Sequence, residues 1–301
     1  MMEQEFSDIC NMKVPTNRIK DVVNHYVNEI IDCYGKDESF SLILMLTEHY
    51  FNIDRLKLTL DPDYRLSESE LLTIHFAVKE LKQFKPVQYI IGHTGFFERN
   101  FKVNADVLIP RPETEELIQK VIDIVKRFPT IRRILDIGTG SGCIAVTLAI
   151  ELPQLKVSAC DISKNALLTA RENANHLEAN VDFFALDILQ NRCEPDLPVW
   201  DLIVSNPPYV TESDKIMMKR NVTGWEPHLA LFVTDDDPLI FYKSIIQFCT
   251  NHLSKGGCIL VEINELFGDQ LVDLFQKNQF SDVMLHRDFH NKQRFISAIK
   301  P

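Results

Sequence analysis

From position 131 onward, short apolar runs alternate with amphipathic helical stretches, and that alternation restricts this chain more than any other feature. The runs cover 131–137, 157–160, 181–185, 202–205 and 258–263. Strand-length apolar runs separated by helices form βαβ units, which predicts an α/β fold with a mostly parallel sheet and helices on both faces. The binding crevice of such a sheet lies at the carboxyl ends of its strands. The polar motifs that stand out fall there.

The part of the chain before this region has a different texture. Ile19, Val22, Val23, Tyr26, Val27, Ile30 and Ile31 recur at helical spacing, as do Leu42, Leu44, Met45 and Leu46. Ser67 followed by Glu70 is a capping-box signature that opens a helix carrying Leu71, Leu72, Ile74 and Val78. These patterns predict a small helical domain over residues 1–84, read as a substrate-recognition module, with a packing module that carries no chemistry as the simpler alternative, since no titratable cluster stands out there. Residues 85–110 change to Gly92, Gly95, Phe96, Phe97 and the alternation Phe101, Val103, Ala105, Val107, which predicts a β-hairpin linker. Pro112 and the acids after it then start a helix, opening a catalytic domain over 111–301.

Four stretches carry chemistry. Gly138, Thr139, Gly140, Ser141 and Gly142 follow an apolar strand ending at Ile137 and open a helix at Cys143. Alternate glycines at a helix N-terminus let a ligand approach the backbone. Position 143 is Cys, so the pattern is an acid followed by GxGxG and departs from the dinucleotide fingerprint GxGxxG. Asp161 ends the next strand, 19 residues after Gly142, where an acid accepts hydrogen bonds from ribose hydroxyls. It also has the simpler reading of a helix N-cap. Asp187 and Ile188 follow the third strand, where a carboxylate accepts from an adenine amino group and an apolar neighbour covers the ring, although a solvated loop acid is a nearly equal alternative.

The fourth stretch is Asn206, Pro207, Pro208 and Tyr209, after the strand ending at Ser205. Two prolines stiffen the loop and remove two backbone donors while leaving carbonyl acceptors. An Asn oxygen and a Pro carbonyl together accept both hydrogens of an NH2 group, and the Tyr ring stacks on its flat face. That combination is a socket for a planar amide or exocyclic amine.

The strand-to-helix glycine turn resembles motif I of class I (Rossmann-like) S-adenosylmethionine-dependent methyltransferases, and Asn206–Tyr209 resembles the NPPY signature of amino-nitrogen methyltransferases. With Pro86–Gly92, the run Leu108–Glu115 and Trp225-Glu226-Pro227, the chain is similar to the release factor glutamine methyltransferase family over most of its length. The resemblance implies that Gly138–Gly142 and Asp161 hold S-adenosylmethionine and that Ile188 lines its adenine, where some relatives carry an aromatic residue. It implies that Asn206–Tyr209 grip the glutamine of the GGQ motif in peptide-chain release factors, so that the enzyme methylates the N5 amide nitrogen and acts in translation termination. Alternatives within the same chemistry are a glutamine of a ribosomal protein and the N6 nitrogen of adenine.

Charge weighs against the adenine alternative, because a formal net charge of −11 repels a phosphate backbone, and no dense Lys/Arg run offsets it. Nucleic acid is therefore not an expected partner. Seven cysteines lie at irregular spacing without a CxxC pair, which fits a reducing cytoplasm, and no metal site is implied. The first 20 residues mix acids and bases and lack the apolar core of a signal peptide. No run approaches the roughly 18 apolar residues of a membrane span, so no membrane association is expected. A nonenzymatic ligand-binding scaffold is the rival from another class, and the retention of Asn206 and Tyr209 argues against it.

Overall fold

A computed structural model describes residue 14 and residues 16–190 and 196–301. Most of the expectation about the N-terminal 20 residues, with Cys10 and Cys193, lies outside these. The chain divides into two compact units.

One unit comprises the described residues up to Gly92 together with the short helix Arg220–Trp225. It contains α1 (Ile19–Tyr34), α2 (Lys36–Phe51), α3 (Arg55–Leu60), α4 (Glu68–Lys82) and α5 (Val87–Ile91). The predicted stripe on α1 is the buried face: Ile19, Val22, Val23, Tyr26 and Ile30 are at most 1% exposed and pack with Ile43, Leu46, Ile74 and Val78. Ser67 and Glu70 form the expected capping box, each side chain taking the other residue's backbone N–H. The helix Arg220–Trp225 is held by the Trp225 indole N–H, which donates to the Gln83 carbonyl at 3.0 Å. Compact packing thus runs to Gly92 and includes α5, part of the stretch read as linker. Local pairing makes the reason plain, because the Gly92 N–H closes α5 on the Gln88 carbonyl with Gly92 at φ 82°.

The other unit spans His93–Lys219 and Glu226–Pro301. It begins with the hairpin β1 (His93–Phe96) and β2 (Arg99–Lys102), whose two turn residues Phe97 and Glu98 sit at positive φ. The strand expected over the alternating residues Phe101 to Val107 is present only as far as Lys102. Phe101, Val103 and Val107 are buried but Ala105 is exposed, so the alternation breaks there, and after Lys102 the chain finds no strand to pair with.

The remaining elements are α6 (Pro112–Arg127), β3 (Arg133–Ile137), α7 (Cys143–Glu151), β4 (Lys156–Asp161), α8 (Lys164–His176), β5 (Val181–Ala185), β6 (Trp200–Ser205), α9 (Ile240–His252), β7 (Leu253–Glu262), α10 (Gly268–Lys277), β8 (Ser281–Arg287) and β9 (Gln293–Ile299). The main sheet has the order β8-β9-β7-β6-β3-β4-β5. Five strands are parallel, and β9 pairs antiparallel with both β7 and β8. Helices cover both faces: one buried cluster joins α6 and α7 to the sheet through Val121, Val146 and Leu260, and the other joins α9 and α10 through Ile245, Leu271 and Ile259. Strand order reverses between β3 and β6, so the ends of these two strands bound the crevice that the topology provides.

Candidate active site

Three glycines shape the turn after β3, and they divide into two kinds. Gly138, Gly140 and Gly142 adopt φ of 74°, 54° and 81°, a backbone region that glycine enters without steric cost. A Cβ added at Gly138 or Gly140 would meet nothing within 4 Å, because both face an open cleft. A Cβ at Gly142 would stand 3.0 Å from the Cβ of Ala170 on α8, so Gly142 permits helix packing and does not line the cleft. Thr139 and Ser141 also point inward. The Thr139 hydroxyl donates to Asp136 at 2.6 Å, and the Ser141 carbonyl accepts from Asn173, whose side chain also exchanges two bonds with the backbone of Lys102. The turn is therefore fastened from below and open above.

Asp161, at the end of β4, crosses to this turn. One carboxylate oxygen accepts from the Gly140 N–H and the other from the Ser163 N–H, both at 2.9 Å. The N-cap of α8 is Ser163, whose hydroxyl accepts from Ala166, so Asp161 is not used as the cap. Its two amide bonds occupy two of about four acceptor positions on a carboxylate. Burial raises the Asp161 pKa against those bonds. Asp136, wholly buried beneath the turn, is pushed by burial to about 7.

The cleft encloses about 960 Å³ including its open mouth. Asp187 and Ile188 line it, two and three residues beyond the end of β5 at Ala185, with Ile188 also packed on the apolar cluster around Ile203 and Ile245. The Asp187 carboxylate accepts from the Leu189 N–H at 3.0 Å and so shapes its own loop. Asn206, Pro207 and Pro208 close the floor at the end of β6. The neighbouring Ser205 hydroxyl donates to the Ile137 carbonyl at 2.7 Å, stitching the two strand ends that bound the crevice.

Tyr209 follows the two prolines and faces the acid at the end of β7. It does not line the cleft; its ring packs on the cluster around Ile203, and its hydroxyl donates to Glu262 at 3.1 Å. Glu262, at the end of β7, is 1% exposed, and burial pushes its carboxyl to about 7. Its other oxygen accepts from the Thr114 hydroxyl at 3.0 Å, and Thr114 in turn accepts from the Asn206 side-chain amide at 3.2 Å. A second buried acid, Glu226, accepts from the Ile109 N–H at 3.2 Å and from Arg111 at 2.6 Å. It thereby ties the segment before α6 to Pro227, and both sides of that tie reach the cleft through Val107, Leu108 and Pro227.

Sequence reasoning passed over Thr114 and Glu262. Glu262 carried a usable signal, an acid inside the apolar strand 258–263, since a buried carboxylate requires donors aimed at it. Thr114 carried none beyond its place in the run Leu108–Glu115.

Known proteins match the chain along most of its length. Residues 116–224 match the model of the methyltransferase small domain, and residues 35–92 match that of the PrmC N-terminal domain. A release factor glutamine methyltransferase from Flavobacterium psychrophilum is 41% identical over 283 residues, covering 93% of this chain and 98% of the relative. One from Bacteroides thetaiotaomicron is 40% identical over 282 residues, covering 92% and 98%. Among solved structures, the hMettl16 catalytic domain in complex with a MAT2A 3'UTR hairpin aligns with a TM-score of 0.52 at 18% identity, over 78% of this chain and 82% of that one. At that identity the likeness concerns the fold alone.

Proposed function

The chain belongs to the release factor glutamine methyltransferase family, and on that premise we propose that it methylates the N5 amide nitrogen of a glutamine in peptide-chain release factors, using S-adenosylmethionine. The observation that carries this reading is the meeting, in one cleft, of the glycine turn and Asp161 with the Asn206-Pro207-Pro208 floor.

The cleft residues fit the methyl donor. The open space over Gly138 and Gly140, which a Cβ would fill, admits a ligand against the backbone, and Asp161 keeps acceptor positions for ribose hydroxyls. Asp187 and Ile188 supply an acceptor and an apolar wall for the adenine. When bound, S-adenosylmethionine supplies an electrophilic methyl group on a sulfonium sulfur that departs with the bonding pair.

The chain's part in the step is orientation. An amide nitrogen is a poor nucleophile because its lone pair is delocalised into the carbonyl. Asn206 Oδ1 and the Pro207 carbonyl accept its two hydrogens, which holds the nitrogen in place and favours the positive charge developing there. The proton shed after transfer needs no strong base beside it.

The test uses labelled S-adenosylmethionine, the full-length protein and a purified release factor. Label is expected on the glutamine of the GGQ motif and is lost when that glutamine is changed to Ala. Asn206→Ala should lower turnover by about 10²–10³-fold, the cost of one oriented polar contact to a transition state, while affinity for S-adenosylhomocysteine changes little. Continued labelling of the Ala-substituted factor would refute the reading.

A further inference from the structure

An asparagine amide has two chemically opposite ends, and only one of them serves the proposed reaction. If the NH2 end faced the cleft, it would meet the substrate's own N–H groups donor against donor. The chain must therefore fix which end points outward, and a side-chain amide alone cannot do so.

The surroundings of Asn206 supply that constraint. Val261 is the register partner of Ser205 in the parallel pair β6–β7, so Asn206 and Glu262 leave adjacent strand ends. Glu262 is fixed through its backbone, whose carbonyl accepts from the Tyr242 hydroxyl at 3.0 Å, and through its carboxylate, which accepts from Tyr209 and Thr114. Thr114 has a single hydroxyl hydrogen, and that hydrogen is used on Glu262 at 3.0 Å. Its oxygen can then only accept. The one group of Asn206 that can satisfy it is the NH2, and that contact is present at 3.2 Å.

We infer that Glu262 and Thr114 are positioning residues which, by a one-way chain of hydrogen bonds, hold Asn206 with its oxygen toward the substrate amide. The inference rests on the proposed role of Asn206 and adds to it the reason why the amide faces the right way. Thr114 is 2% exposed and does not line the cleft, so it acts through Asn206 without touching substrate. Tyr209 belongs to the same device: its hydroxyl takes up the second Glu262 oxygen and keeps that carboxylate from turning away from Thr114.

The experiment compares Thr114→Val, Thr114→Ala, Thr114→Ser, Asn206→Ala and the double variant Thr114→Val/Asn206→Ala in the full-length protein. Turnover and KM are measured with a purified release factor, together with affinity for S-adenosylhomocysteine and the thermal midpoint. Val keeps the shape of Thr and loses the hydroxyl, Ala serves where Val disturbs packing, and Ser keeps the hydroxyl. Val and Ala are expected to lower kcat by about 10²-fold, the scale of a misoriented reacting group, with a much smaller change in KM and none in cofactor affinity. Ser should recover most of the loss. The double variant should be no slower than Asn206→Ala, because both changes remove the same orientation. Normal kcat in Thr114→Val and Thr114→Ala beside a slow Asn206→Ala overturns the positioning role and leaves the Asn206 reading intact. Ser failing as badly as Val also overturns it. Normal turnover in Asn206→Ala removes both.

Discussion

The helical unit and the cleft end of the sheet handle ionisable groups in opposite ways. In the helical unit the core is apolar, and Glu70 works at the surface, where the Ser67 backbone N–H and hydroxyl hold its carboxyl below the ordinary range. At the cleft end, Asp136 and Glu262 lie wholly inside the protein, and burial pushes each to about 7. Burying a carboxylate costs stability that an apolar residue of similar volume would not. The cost falls under the glycine turn and beside Asn206, where fixed polar geometry matters, and is absent where packing alone suffices.

The largest expected effect tests that separation from the helical side. Ile30→Ala removes a fully buried side chain from the α1 core and should destabilise the helical unit by about 2–5 kcal/mol. Affinity for S-adenosylhomocysteine, measured by titration calorimetry, should persist. Loss of that affinity in a protein whose sheet remains folded by circular dichroism would break the comparison. From the cleft side, Asp161→Ala withdraws the proposed partner of the ribose hydroxyls and should weaken the same ligand by about 1–3 kcal/mol. Since Asp161 also holds Gly140, some of that loss is expected as disorder of the turn.

The glycine turn sharpens the comparison within a few residues. Gly140→Ala and Gly142→Ala each force a Cβ into the left-handed region at about 1–2 kcal/mol. At Gly142 the new Cβ also presses on Ala170, whereas at Gly140 it projects into the cleft. Gly142→Ala should therefore lower the denaturation midpoint more, and Gly140→Ala should weaken ligand binding more. The reverse ranking would remove the division between packing glycine and binding glycine.

How much of this was legible in the sequence differs by the kind of signal. Local signals were reliable: the α1 stripe, the Ser67–Glu70 capping box, the βα alternation and the glycine turn each state their geometry within a few residues. That Asp161 and Asn206 stand at the cleft was legible because the crevice of a parallel sheet opens at its strand ends. The partner of Asn206 was not, since Thr114 and Glu262 lie 92 and 56 positions away and become neighbours only through sheet order and register. The same limit explains Tyr209, whose motif suggests stacking on substrate while β7 places a buried carboxylate against its hydroxyl. The alternation 101–107 misled because its apolar residues continue past Lys102, where no neighbouring strand is available, and Ala105 is exposed. Strands β8 and β9 were unread because their apolar residues do not form uninterrupted runs, as expected at the antiparallel edge of such a sheet.

The smallest single-site effect, at Ser67, brings in pH, and there the two regions should differ in sign. Ser67→Ala removes the cap of α4 and should cost about 1 kcal/mol at neutral pH. Glu70 has a lowered pKa in the folded chain, so its contribution is present above its unfolded value, about 4.3, and fades as pH falls through the lower folded value. The deficit of Ser67→Ala should accordingly shrink on acidification below about pH 4. Asp136 and Glu262 have folded values raised to about 7, so their contribution is fully present below their unfolded values near 4 and is lost as pH rises through about 7. Urea denaturation of the wild type between pH 5 and 7 should therefore show stability declining from these two groups as pH rises, and Asp136→Asn should flatten that slope while Ser67→Ala leaves it unchanged. A Ser67→Ala deficit that grows below pH 4, or an Asp136→Asn slope as steep as the wild type, would show that the two regions do not hold their acids in opposite ways.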